Sequence, residues 1–299
     1  MKVKNDNLGE RMKEYESVPK NFLTRRIPVI CRLDGVAFHT FCKRFERPFD
    51  IVFNDVMNNV MVSLCSRIQG VKMAQRHSDE ISLLITDYDA ITTDAFFAYN
   101  IQKIISVVSG MASSELCKQL IIKENERMDI FNSVPNTKEE LETRTAFQKR
   151  FDKQILSMDE KWPCFDCRCF NIPENEISNY FWWRLLDCKR NSISMQAQAK
   201  FSPKQLHGKN CDEMQEMLFS KFGINWAKIP QEQKSGFVCY KETISKKVEK
   251  GPMEGKWFQR SVWSKFPSPS TKEKLNILVK DVLYGNVTVL EFQNMAPVV

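Results

Sequence analysis

No stretch of this 299-residue chain approaches the ~20 consecutive apolar residues that a membrane-spanning helix needs. The opening MKVKNDNLGERMKEYE is charged from the start and lacks an apolar h-region, so no signal peptide is expected. Histidine is scarce, at three residues. No internal repeat and no extended low-complexity segment is present, which argues against a repeat architecture. What remains is 42% hydrophobic and 27% charged, the profile of a globular chain with one large domain or two modest ones. Ten cysteines are scattered, several within apolar periodic segments. That pattern fits reduced thiols in a cytoplasmic protein better than a disulfide scaffold. The net charge of +7 favours a polyanionic partner, although charge alone decides little.

Along the chain, residues 1–26 form a charged lead-in with helical potential around residues 8–15 and the basic pair Arg25 and Arg26 at its end. The apolar run at residues 28–33 suits a buried strand and stops at Asp34-Gly35, a turn signal. After Pro48 and Phe49, Ile51, Val52, Val56, Val60, Leu64 and Ile68 recur at helical spacing, closed by Gly70. Residues 71–86 read as a β-hairpin, with Val71, Met73 and Gln75 on one arm, Ile81, Leu83 and Ile85 on the other, and Asp79 near its tip. Residues 91–118 are expected to form a second helix, apolar at Phe96, Phe97, Ile101, Ile104, Ile105 and Val108. Strand, helix, hairpin, helix is the order of a split βαβ, ferredoxin-like unit and of a polymerase palm. The expected fold class is therefore α+β: an antiparallel sheet flanked by helices, with a helical insertion and a C-terminal extension. In residue terms, 1–120 would be the palm-like core and 121–160 a charged insertion, with Thr137 and Glu140 as a capping box and a helix running to about Leu156. Residues 161–242 would complete the catalytic and RNA-binding region, with a Cys/Phe alternation, an aromatic helix and a helix near 213–222. The extension 243–299 carries lysines, Pro267, Pro269 and a strand-like run at 287–292.

Asp34 ends a strand, and Asp79-Glu80 sits on the following hairpin. In a βαβ-type sheet those strands are neighbours, so the carboxylates can face one point. Hard divalent cations take carboxylate and carbonyl oxygens, waters and a triphosphate. Gly35, without a Cβ, lets backbone come close to phosphate. On spacing alone, the same residues read equally well as a turn and a solvated hairpin tip.

Longer motifs surround them. RLDGVAFHTF (32–41), RPFD (47–50), QRHSDEISLL (75–84), NYFWWRLLDCKRNSISMQAQ (179–198) and LFSKFGINW (218–226) resemble, in order, the motifs of the tRNA-His guanylyltransferase family. The likeness covers roughly residues 7–242 and is nearest to the guanylyltransferase-like branch of bacteria, archaea and phages. It implies a palm-like nucleotidyltransferase that adds nucleotides to a tRNA 5′ end, in the 3′–5′ direction. There the RNA 5′ phosphate is activated by ATP, or arrives as a triphosphate, and the 3′-hydroxyl of GTP attacks it. The resemblance assigns Asp34, Asp79 and Glu80 to catalysis, with Asp34, Asp79 and the Gly35 carbonyl holding a pair of Mg²⁺ ions. It further implies that Asp34, Gly35, Val36, Ala37, Phe38 and His39 wrap the nucleotide with Ser78, Asp79 and Arg47, and that Arg32 assists. It implies a tetramer as well. No Ser/His/Asp nucleophile is expected in such chemistry, and none is found. Where animal and fungal members carry His-Ile-Asn-Asn, this chain has Lys189-Arg190-Asn191-Ser192, matching only at Asn191. That departure favours 5′-end repair of truncated tRNA over strict tRNA-His selectivity. Val36 replaces a residue that is often basic or polar in relatives.

Other features carry less. Cys164, Cys167 and Cys169 lack the further ligands a structural zinc requires, and Cys167 and Cys169 suit strand alternation better. His39 and His77 flank the proposed site and, like His207, read equally well as packing or solvated residues. Tyr180, Phe181, Trp182 and Trp183 suit core packing better than base stacking. Lys189, Arg190 and Asn191, with the lysines of 241–256, are candidate tRNA contacts. The rivals are a nucleotidyl cyclase, which shares palm and aspartates, and an RNA-binding relative without catalysis.

Overall fold

The computed structural model of the protein describes residues 7–133, 162–247, 249–250, 252 and 254–285. Helix α1 (Asn7–Ser17) precedes strand β1 (Val29–Gly35), the one-turn helix α2 (Phe38–Phe41) and helix α3 (Ile51–Arg67). The hairpin β2 (Val71–His77) and β3 (Glu80–Ile85), helix α4 (Ile101–Ser133) and β4 (Phe165–Asn171) follow. Next come α5 (Ile177–Gln198), α6 (Pro203–Leu206), α7 (Cys211–Phe222), α8 (Gln231–Ser235), β5 (Phe237–Lys247), β6 (Trp257–Pro267) and α9 (Lys272–Tyr284). The strands form one sheet in the order β4-β1-β3-β2-β5-β6, and every neighbouring pair is antiparallel. The first four make the ferredoxin-like unit expected from the order of elements, and β5–β6 extends it at the β2 edge.

Both faces of the sheet are covered, which explains why the alternation in the hairpin is only half a reading. On one face Cys31, Leu33, Ala74, Ile81, Leu83 and Cys239 pack against α3 and α4 through Val56, Met57, Val60, Met61, Ile104 and Val108. On the other, Ile30, Met73, Leu84, Val238 and Tyr240 pack against Tyr180 and Phe181 of α5 and Leu275, Leu278 and Val279 of α9. Each such buried aliphatic or aromatic side chain contributes about 1.5–3 kcal/mol over exposure. A register shift between Val71 and Met73 corrects the expected β2 pattern: Val71 and Met73 end on opposite faces. Asp50 starts α3 by accepting from the Phe53 amide at 2.8 Å, and it also accepts from the Glu46 amide, folding the RPFD loop onto the helix.

The helix expected over 91–118 begins only at Ile101. Asn100 is the reason: its Oδ1 accepts from the Lys103 amide at 3.0 Å and caps the helix there. Before it, Phe97, Ala98 and Tyr99 take left-handed backbone angles, which continuous helix forbids. At its other end α4 runs through Ser133, so the start of the charged stretch continues this helix. The Thr137–Glu140 capping box, the helix to Leu156 and the strand-like 287–292 lie outside the described residues. Residue 242 falls within β5. Among the described residues no helix is long and apolar enough to cross a membrane.

Candidate active site

The antiparallel register of β1 and β3 pairs Leu33 with Ile81. The end of β1 therefore lies beside the Ser78-Asp79 turn that opens β3. Asp34 and Asp79, distant in sequence, meet at this corner of the sheet. Burial raises the Asp79 carboxyl above its usual range, although a hydrogen bond from Ser78 opposes the shift. Asp34 is raised too, first by burial, then by the negative fields of Asp79, Glu80 and Asp166, with Arg32 pulling the other way. Asp166 was not read from the sequence. It sits directly across from Asp34 on β4, and only strand pairing could have revealed it.

Glu80 differs from the aspartates. Arg184 of α5 donates from Nε and Nη2 to its two carboxylate oxygens, both at 2.6 Å, and His77 Nε2 lies 3.3 Å from Oε1. Burial would lift this carboxyl, but His77 and Arg184 outweigh it and leave Glu80 below its ordinary value. The structure thus gives Glu80 a structural engagement that the resemblance did not anticipate: it ties the hairpin to α5. Arg184, in turn, lay in a segment read from sequence mainly for its aromatic residues. Of those, Tyr180 and Phe181 are core, with the Tyr180 hydroxyl 2.8 Å from Ser82 Oγ, whereas Trp183 is half exposed and stacks on Arg184.

The Gly35 requirement has a packing cause beside the proposed phosphate approach. A Cβ there would meet the Phe38 ring at 2.3 Å, and that ring is locked among Phe41, Phe53 and Phe165. Ala37 turns the chain with a left-handed φ of 55°, leaving Val36, Ala37 and His39 exposed while Phe38 is buried. Ser78 makes the opposing turn with φ 48°.

Next to this corner lies a cavity of about 390 Å³. The nucleotide candidates Phe38, His39, Arg47, Ser78 and Asp79 line it together with Asn191. Asp34, Gly35, Val36 and Ala37 are not part of its lining. Of the tRNA candidates, Lys189 donates to the Ser270 carbonyl at 3.2 Å and sits over Trp182, and Arg190 is paired with Asp187. Cys167 and Cys169 face the α3–α4 core, while Cys164 is exposed. Among the described residues no three His, Cys, Asp or Glu side chains converge as a metal cage. Two raised carboxylates and a backbone carbonyl do match the donor set of Mg²⁺, which takes its remaining oxygens from water and phosphate.

The sequence profile described as "Thg1: tRNAHis guanylyltransferase" matches residues 9–173. The tRNA(His) guanylyltransferase of Schizosaccharomyces pombe is 26% identical over 248 residues, 79% of this chain and 80% of that one. The structure is similar to a bacterial tRNA(His) guanylyltransferase (Thg1)-like protein in complex with ATP, at TM-score 0.72 and 32% identity over 93% of this chain and 99% of that one. The GTP complex of a bacterial Thg1-like protein superimposes with TM-score 0.69 and 32% identity, covering 93% of this chain and 100% of that one. The chain belongs to the tRNAHis guanylyltransferase family, a family of nucleotidyltransferases.

Proposed function

We propose that this protein is a Mg²⁺-dependent 3′–5′ nucleotidyltransferase that adds guanosine or templated nucleotides to the 5′ end of tRNA after ATP or GTP activation. The observation that carries the reading is the convergence of Asp34 and Asp79 beside a cavity of nucleotide size. Solved relatives hold ATP and GTP, and this chain is proposed to bind both.

Asp34, Asp79 and the Gly35 carbonyl would hold the cations. Bound there, Mg²⁺ supplies charge neutralisation for triphosphate and leaving pyrophosphate and favours the attacking alkoxide. The chain's own residues do the rest. Their raised carboxyls mark a site that is electrostatically incomplete without cations. The base and sugar enter the cavity, where Phe38 and Phe53 exclude water and His39 and Arg47 stand at hand for the phosphates. Glu80 is proposed to act through position, holding the Ser78-Asp79 turn against α5 by way of Arg184.

Lys189-Arg190-Asn191-Ser192 supports repair of truncated tRNA rather than strict tRNA-His selection. Asn191 and Ser192 line the cavity, whereas Lys189 and Arg190 are engaged within the fold. The test is extension of a 5′-truncated tRNA by labelled GTP with Mg²⁺. Wild-type protein is expected to lengthen the 5′ end and Asp79→Ala to abolish it. Equal extension by that variant, or a cyclic nucleotide as product, sinks the reading.

A further inference from the structure

Arg76 is among the most deeply buried side chains of the molecule, at 1% exposure, and it is a cation. It projects from β2 toward α3 and lines the cavity. No carboxylate lies within ion-pair distance of it among the described residues. Both Nη atoms share the single Asn54 Oδ1 at 3.3 Å, Nη1 also reaches the Ser78 carbonyl at 3.0 Å, and Nε has no partner. The Phe237 ring lies 5.4 Å from the guanidinium carbon. Burial lowers its pKa to about 10, so the group remains charged at neutral pH. Among carboxylates, Asp79 is the one whose field reaches it.

A guanidinium has five donors and no acceptor, and here they are underused. A buried group in that condition fits a ligand that presents acceptors. The cavity's other walls define the ligand's shape: Phe38, Phe45 and Phe53 on one side, Cys188 and Met195 of α5 on another. Flat, largely apolar walls suit a heterocycle. With the triphosphate at Asp34 and Asp79, the base of the same nucleotide would enter the cavity that Arg76 lines. Guanine shows two adjacent acceptors, O6 and N7, to a guanidinium fork, whereas adenine sets a donor amino group beside N7.

We propose that Arg76 is a specificity-determining residue that reads the O6/N7 edge of a purine in this cavity and so selects guanine over adenine nucleotides. The inference rests on the nucleotide-site reading above. Gly236 supports the arrangement: its φ is +67°, and a Cβ there would meet the Arg76 carbonyl at 2.0 Å, so the α8–β5 junction holds the Arg76 backbone in place.

Calorimetric titration of the full chain with Mg²⁺ and no RNA tests it. Wild-type protein should bind GTP and inosine triphosphate alike, and both on the order of tenfold tighter than ATP or 7-deaza-GTP. Arg76→Gln should bring GTP and ATP to equal affinity. The analogue series needs no variant, so it decides the matter even if Arg76→Gln does not fold. Inosine triphosphate binding like ATP, or an unchanged GTP preference in a folded Arg76→Gln, overturns the inference and leaves the nucleotidyltransferase reading intact. Absence of binding by every nucleotide overturns both.

Discussion

Asp34 illustrates how a residue can work against the fold that holds it. Its raised pKa means that the folded chain binds a proton more readily than the unfolded one. Ionisation therefore removes stability as pH climbs from the ordinary Asp value of ~3.9 through the raised folded value, and the deficit persists at neutral pH. In chelator-containing buffer, Asp34→Asn should raise the melting temperature at pH 7 and change it little in acid. A lower melting temperature at pH 7 counts against the repulsion described here. Glu80 is the reverse case, a carboxylate satisfied by Arg184 and His77. Arg184→Ala strands it, and urea unfolding should report a loss of about 3 kcal/mol or more. Replacing both partners with uncharged residues of similar size, Glu80→Gln with Arg184→Met, should recover much of that loss.

Among the elements, the β5–β6 ribbon stands apart. From Lys241 outward, β5 is mostly exposed, as is the start of β6. Lys246, Lys247, Arg260 and Phe258 line a shallow depression there together with Glu249, with Trp257 also exposed. A basic ribbon with aromatic faces is suited to tracking an RNA backbone. The triple variant Lys246→Ala, Lys247→Ala, Arg260→Ala should weaken tRNA binding and reduce the salt-dependence slope by roughly 2–3. An unchanged slope means that the ribbon does not touch RNA. This element was illegible in the sequence because its exposed strands carry no hydrophobic alternation, and the burial that anchors it is confined to its base, where Val238, Cys239 and Tyr240 are buried and Phe237, Trp263 and Phe266 pack against the core. The β1–α3–β2–β3 unit was legible for the opposite reason: apolar period and turn residues agree there. The start of α4 was misread because Phe96 and Phe97 carry a helical signal that the Asn100 cap overrides. Arg76 was passed over because nothing local distinguishes a buried arginine from a solvated one.

At the scale of the whole molecule, the site is assembled from distant parts of the chain. The carboxylates come from the region matched by the family profile, which ends at residue 173. Cys188, Ser192, Met195, Glu232 and Gly236 of the cavity wall come after it. Strand pairing shows the same division, since β2 has β5 as its outer neighbour. A chain halted at residue 173 would keep both aspartates but leave β2 as a bare sheet edge, with its amides and carbonyls open to pairing with another copy. Growth on the ribosome passes through that state. Until β5 emerges, the nascent chain carries β2 as an adhesive edge, and stalled intermediates of this length should sediment as aggregates, while chains extended through α9 should stay dispersed.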